Sequence, residues 1–358
     1  MSEVTIIGLA TGTPPKSFPQ DELFKMAGYD AFPEATRRKF RALFRVSGVE
    51  RRAMFLESDS RPSGDPDDFD ARYIAGLRAL APPVASEAIR RAGLTPADID
   101  FVVFCSCTGY TCPGFSVELA RELGVPDDRP TASFLGMGCS AFVPSLERAW
   151  DRVAARPGSR ALVVAAEICS STYFIDEDPE SCVGNAIFAD GAAAAVLSSA
   201  TGDAIRARRA SLDGGGGGAI PSIEGFRTLR DPRYIDDMGF TRRGGRLRVR
   251  LAREIPERIL PLVLENLKRL ELPSGALLAV HPGGRKILDD LAAAAPGLVP
   301  MIAASRAVLR DHGNMSSPTV AFVLERLLAG RPARAGEVGA LLTMGPGLSV
   351  ESMRFTWK

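Results

Sequence analysis

The sequence predicts a layered α/β fold in which one strand, loop and helix unit is written twice, and three observations carry that reading. First, an uninterrupted apolar run stands in each half, residues 101–104 behind Asp100 and residues 276–280. Runs without polar alternation are strands covered on both faces. Second, each run is followed, about 34 or 35 residues later, by a glycine-flanked polar residue that opens a helical pattern: Gly138-Cys139-Ser140 and Gly313-Asn314-Met315. Third, about 25 residues further on, each half has another apolar strand, at 161–165 and 339–342.

Taken in order, residues 4–10 form an apolar run that Gly8 interrupts and threonines and prolines end, which makes it a first strand. With Glu3 and no basic segment ahead of it, it does not have the form of a signal peptide. The helix after Cys139 shows Phe142, Leu146 and Ala149 or Trp150 on one face; the one after Asn314 shows Val320, Phe322, Val323 and Leu327. Duplicated units of this kind meet around a pseudo-twofold axis, which places Cys139 near Asn314. The glycine run 214–218 and the Arg/Gly-rich stretch 241–246 read as flexible surface loops, since no helix with an adjacent Lys-Ser/Thr follows them as in a phosphate cradle. The halves therefore divide as residues 1–205 and 206–358.

With 44 basic and 43 acidic residues, the net charge of +1 supplies no general field for a polyanion such as nucleic acid. No apolar stretch approaches the roughly 18 to 20 residues of a membrane-spanning helix. Six cysteines in 358 residues without an export signal read as reduced thiols of a cytoplasmic protein. Cys105, Cys107 and Cys112 are expected to be small buried thiols, because three thiolates without a nearby histidine make a poor metal site.

The chemistry falls on few residues. Cys139, in Gly136-Met137-Gly138-Cys139-Ser140, precedes a helix whose dipole favours a thiolate. Of two histidines, His281 ends an apolar strand and is followed by Pro282-Gly283-Gly284, a position that points into a crevice. His312, among Arg310 and Asp311, reads as exposed. Cys, His and Asn together serve either hydrolysis or carbon-carbon bond formation through an acyl-enzyme, and spacing alone does not choose.

Four ordered segments resemble the signatures of type III polyketide synthases, the chalcone synthase family. They are Gly138-Cys139-Ser140-Ala141-Phe142, Val280-His281-Pro282-Gly283-Gly284, Gly313-Asn314-Met315-Ser316-Ser317 and Gly345-Pro346-Gly347-Leu348-Ser349-Val350-Glu351. The segment 184–192 looks like the one that bears the family's gatekeeper Phe188, and the loop 108–114 matches too. The resemblance implies a thiolase-like, duplicated αβαβα layered fold and an acyltransferase with Cys139, His281 and Asn314 as catalytic residues. A starter acyl-CoA would load Cys139, with His281 taking the thiol proton. His281 and Asn314 would then hold the enolate of malonyl-CoA as carbon dioxide leaves. No metal or bound cofactor is implied.

By the same resemblance, a second gatekeeper phenylalanine falls on Val249, and the pocket positions on Thr108, Cys112, Cys169 and Ser316. Their modest volumes imply a roomy cavity for an aliphatic starter and an alkylpyrone or alkylresorcinol product. A polar aromatic starter or a malonyl-primed product stays open. CoA phosphates are expected on Lys39, Arg41 and Arg45, although only Lys39 falls on a family lysine and the other two family positions read as Ala42 and Val46. A homodimer with Cys112 at its interface and a cis bond before Pro113 are implied as well. Two rivals exist: a carrier-protein-dependent ketoacyl synthase, whose histidine usually stands in a His-Gln-Ala-Asn setting unlike His281-Pro282-Gly283-Gly284, and a non-catalytic acyl-binding relative.

Overall fold

The computed structural model describes residues 3–56, 65–203, 220–330 and 333–358. Its first half runs β1 (Thr5–Gly12), β2 (Ser17–Pro19), α1 (Gln20–Met26), α2 (Glu34–Val46), β3 (Arg51–Ala53), α3 (Pro66–Arg91), β4 (Phe101–Ser106), α4 (Phe115–Leu123), β5 (Thr131–Leu135), α5 (Phe142–Ala155), β6 (Arg160–Ile168), α6 (Pro179–Ile187) and β7 (Asp190–Ser198). The second runs β8 (Pro221–Arg230), β9 (Met238–Arg243), β10 (Arg246–Leu251), α7 (Ile255–Leu270), β11 (Leu277–Val280), α8 (Arg285–Ala294), α9 (Val299–His312), α10 (Thr319–Gly330), β12 (Val338–Gly345) and β13 (Ser349–Trp357).

The duplication is visible in the strand order. The first half pairs β1-β7-β6-β4, with β5 added at the edge, and the second pairs β8-β13-β12-β11. Directions repeat as well: β1 with β7 and β7 with β6 are antiparallel, as are β8 with β13 and β13 with β12, whereas β6 with β4 and β12 with β11 are parallel. Thr5 opposite Ser222 joins the two half-sheets.

Side-chain alternation then builds the layers. Val103, Cys105 and Ala165 face a central core shared with Phe142 and Leu146 of α5, Val320 and Val323 of α10, and Leu341 and Met353 of the other half-sheet. Their neighbours Val102, Phe104 and Val164 face outwards onto Leu77, Ala81 and Ala88 of α3. On the far side Leu278, Val280 and Leu342 pack against Ile259 and Val263 of α7 and Leu288 of α8. Five layers result, αβαβα, and both half-sheets are covered on both faces, which is why their strands carry no polar alternation.

Gly8 does not break β1. A Cβ there would stand 2.3 Å from the Ala88 carbonyl oxygen of α3, so the glycine allows helix and strand to approach. The expected loop at 241–246 is instead a hairpin of β9 and β10, turned by Gly244 and Gly245, whose φ values of 56° and 77° suit a tight two-residue connection. The 214–218 run and the 205/206 division lie outside the described residues. All six cysteines are free. Cys105 is buried as expected, but Cys107 is only half-buried and Cys112 is exposed, because its loop leaves the end of β4 towards the surface. No described helix is long and apolar enough to cross a membrane.

Candidate active site

The turn that carries Cys139 is held from both sides of the pseudo-symmetry. After β5, Gly136 and Gly138 take φ of 77° and 53°, and residues Gly138–Ser140 wind one 3-10 turn ahead of α5. A Cβ on Gly138 would lie 2.5 Å from Pro346 Cδ, and one on Gly345 would lie 2.4 Å from Ser140 Oγ. The Gly345-Pro346-Gly347 loop therefore packs directly on the nucleophile turn.

His281 leaves the carboxyl end of β11, where its N–H donates to the Leu342 carbonyl at 2.8 Å. Its side chain is fully buried, and neither ring nitrogen has a hydrogen-bond partner among the described residues. Asn314 is fixed by its backbone, which donates to Ile187 O at 2.8 Å and accepts from Ala189 N–H at 2.9 Å, pairing the segment of Phe188 with it. Its Oδ1 accepts from Ser316 N–H at 2.8 Å and its Nδ2 donates to Gly283 O at 3.3 Å. Both Oδ1 and Nδ2 lie 3.9 Å from Cys139 Sγ. Two residues 175 apart in the chain are thus neighbours, as the repeat required.

A cavity of about 690 Å³ opens onto this group and is lined by Cys139, His281, Asn314, Phe188, Val249, Thr108, Cys169 and Ser316. Phe188 and Val249 meet over Gly184, where a Cβ would lie 2.6 Å from Val249 Cγ1 and 3.6 Å from Phe188 Cδ2. Ser316 holds φ of 59°, a left-handed conformation that a non-glycine residue adopts at a cost. Its Oγ lies 3.4 Å from Cys107 Sγ. Cys112, preceding a cis bond to Pro113, lies outside the cavity. So do Lys39, Arg41 and Arg45, since the face of α2 towards the cavity is Leu43, Val46 and Ser47, and the Arg41 guanidinium lies over Phe24, 5.1 Å from the ring centre. His312 is half-buried, its ring 5.3 Å from that of Phe322, and it does not reach the cavity.

Electrostatics depart from the sequence expectation of a dipole-favoured thiolate. Burial pushes the Cys139 thiol up to about 11, and burial alone drops the His281 imidazole to about 3. Desolvation outweighs one turn of helix dipole, so neither group carries charge cheaply by itself.

Two buried residues escaped the sequence reading. Glu167 of β6 is fully buried and accepts from Ser106 Oγ, Thr108 Oγ1, the Cys107 and Thr108 N–H groups and Ser317 Oγ, at 2.6 to 3.2 Å. It ties the cavity wall of one half to the Asn314 loop of the other. Its signal was legible: one charge inside an otherwise apolar strand. Arg52 of β3, also fully buried, donates to Phe188 O and packs against Gly313, where a Cβ would lie 2.7 Å from Arg52 Cδ. Nothing in its local sequence marks it. Among the described residues no group of three or more His, Cys, Asp or Glu is placed to hold a metal.

Residues 1–201 match the family model of chalcone and stilbene synthases, N-terminal domain, and residues 237–356 match the corresponding C-terminal domain. The chain is 32% identical to a 3,5-dihydroxyphenylacetyl-CoA synthase of Streptomyces toyocaensis, over 98% of this chain and 90% of that one. It is 31% identical to a 1,3,6,8-tetrahydroxynaphthalene synthase of Streptomyces peucetius subsp. caesius, over 99% and 93%. Among solved structures, the tetrahydroxynaphthalene synthase of Streptomyces coelicolor A3(2), a bacterial type III polyketide synthase, superposes with a TM-score of 0.87 at 26% identity, covering 99% of each chain. The polyketide synthase PKS-I of the brown alga Ectocarpus siliculosus gives 0.84 at 25% identity, covering 100% and 99%. With both domain models matched in order and the five-layered duplicated fold shared, this chain belongs to the chalcone and stilbene synthase family and is a type III polyketide synthase, an acyl-transferring condensing enzyme.

Proposed function

We propose that Cys139 is acylated by a CoA thioester and that the acyl group is extended there by decarboxylative condensation with malonyl-CoA. The observation that carries this reading is the 3.9 Å approach of Cys139 Sγ to the Asn314 amide in a cavity shared with His281. In loading, the Cys139 proton passes to His281, the thiolate attacks the thioester carbonyl, and the departing CoA thiolate takes the proton back. In extension, malonyl-CoA loses carbon dioxide, and the electron pair of the broken bond moves into an enolate whose oxygen accepts hydrogen bonds from Asn314 Nδ2 and His281. The enolate carbon attacks acyl-Cys139 and releases the thiolate. The fixed Asn314 Oδ1, already accepting from Ser316, supports this orientation of Nδ2 towards the cavity.

For the starter, the largely apolar wall around Phe188 and Val249 supports an aliphatic acyl group and an alkylpyrone or alkylresorcinol product. A second reading, malonyl priming to a polyhydroxylated aromatic product, is favoured by relatives named for 3,5-dihydroxyphenylacetyl-CoA and 1,3,6,8-tetrahydroxynaphthalene synthesis. We further infer a homodimer, with Cys112 near the partner, from exposed apolar side chains on neighbouring segments: Tyr110, Val117 of α4, and Leu135 on edge strand β5.

The test is incubation with labelled malonyl-CoA, alone and with acyl-CoAs of graded length, Cys139→Ala serving as control and products read by mass. Cys139-dependent pyrones or resorcinols support the first reading; an aromatic product from malonyl-CoA alone supports the second. Dependence on an acyl carrier protein, or a complete lack of covalent acylation on Cys139, sinks both.

A further inference from the structure

We propose that Arg246 and Arg248 of β10 are positioning residues that set how long an acyl chain the cavity accepts, by latching the β9–β10 hairpin onto the segment that carries Phe188; the proposal rests on the CoA-thioester reading above. The hairpin is a sheet of its own, with no ladder to the nine-stranded sheet. Its register puts Met238 opposite Leu251 and Phe240 opposite Val249, and all four residues line the cavity. Two strands without further sheet neighbours are weak by themselves, so this wall keeps its place through what its other face holds.

That other face is Arg246, Arg248 and Arg250, and the first two reach the neighbouring wall. Arg246 donates to the Tyr173 carbonyl at 2.6 Å, and its guanidinium lies 4.4 and 4.5 Å from the ring centres of Phe69 and Phe174. Arg248 pairs with Asp176 at 3.3 Å and with Asp178, and its side chain is only 14% exposed, which shields the pair from solvent. The two acids are themselves fixed. Asp176 accepts from the Asp178 N–H at 3.1 Å, and Asp178 caps α6 by accepting from the Glu180 N–H at 2.8 Å. Neither arginine lines the cavity, so both act through the backbone they hold.

Helix α6 starts at these anchors and ends at Ile187, immediately before Phe188. Gly184, in its last turn, is the point where Val249 and Phe188 meet. The latch therefore joins the two elements that carry these side chains and fixes how far apart they stand. The sign of its loss follows from the packing. Val249 Cγ1 already lies 2.6 Å from where a Cβ on Gly184 would be, so the hairpin has no room to move towards α6 and a released hairpin moves away from it. The passage between Val249 and Phe188 then widens.

The experiment compares kcat/KM for acyl-CoA starters of graded length, with malonyl-CoA as extender and products read by mass. Arg246→Met and Arg248→Met keep an unbranched side chain without the charge. Each is expected to raise the kcat/KM ratio of the longest to the shortest starter about threefold, and the double variant about tenfold, with kcat on the shortest starter unchanged. If malonyl-CoA alone primes the enzyme, the same variants are read by additional extensions. Arg248→Lys keeps the ion pairs and is expected to retain the preference of the unmodified protein. Asp176→Asn keeps the acceptor for the Asp178 N–H but not the charge, and is expected to shift the preference the same way as Arg248→Met; it carries the test if the methionine variant does not fold. General destabilisation would lower turnover of all starters alike and leave the ratio where it was. An unaltered preference in Arg248→Met or Asp176→Asn, a shift towards shorter starters, or an Arg248→Lys that matches Arg248→Met overturns the latch alone. An unmodified protein that condenses no CoA thioester overturns the reading beneath it.

Discussion

Burial disfavours the charged forms of both Cys139 and His281. Desolvation pushes the thiol up to about 11 and the imidazole down to about 3, so under the proton transfer proposed above each would be charged only together with the other. Opposite charges in a low-dielectric cavity restore what solvent no longer supplies. The sign follows: an imidazolium lowers the thiol, and its removal raises it. Alkylation of Cys139 by iodoacetamide, followed against pH, is therefore expected to have a midpoint about one unit or more higher in His281→Ala than in the unmodified protein. Superimposable profiles would show that the two do not share a proton. Cys139, His281 and Asn314 were each legible in the sequence through glycine-flanked turns and strand ends. Glu167 was legible only as an anomaly, and Arg52 not at all, because its partners, Phe188 and Gly313, come from distant segments.

At the scale of elements, the β9–β10 hairpin shows how a strand aims a side chain. In β10 the arginines alternate with Leu247, Val249 and Leu251. Arg246 lies between the rings of Phe69 and Phe174, at 4.4 and 4.5 Å, and Arg248 pairs with Asp176 at 3.3 Å and with Asp178. The polar face is pinned to the segment before α6, so the apolar face turns Val249 onto Gly184 and Phe188. Val249→Phe has no space on the Gly184 side and must project into the cavity. Its expected effect is a product spectrum shifted to shorter starters or fewer extensions, read by mass; an unchanged spectrum would remove Val249 from the gate. The charge and glycine content of 241–246 resembled a loop, since three arginines hide a period of two unless their partners are known. The basic cluster of α2 shows the opposite case: Lys39, Arg41 and Arg45 stand off the cavity lining, which on this helix is apolar. Density of charge in sequence does not say which helix face meets a cavity.

Over the whole molecule, β5 is a sheet edge that carries exposed Leu135, and Tyr110 and Val117 are exposed as well. An uncovered edge with apolar side chains is a surface a stable protein covers. Light scattering is expected to give twice the chain mass for the unmodified protein, and Leu135→Glu to shift it towards the monomer; a monomeric unmodified protein would end the dimer reading. The sequence by itself determined the repeat, the apolar strands with both faces covered, and the three polar residues at equivalent turns, because strand periodicity, helix periodicity and glycine turns are local consequences of residue type. Only the tertiary structure decided that Cys139 and Asn314 come within 3.9 Å of each other and that Glu167 and Arg52 brace the cavity wall. Those are contacts between segments far apart in the chain, and they exist only once the two half-sheets have packed around their shared central helices.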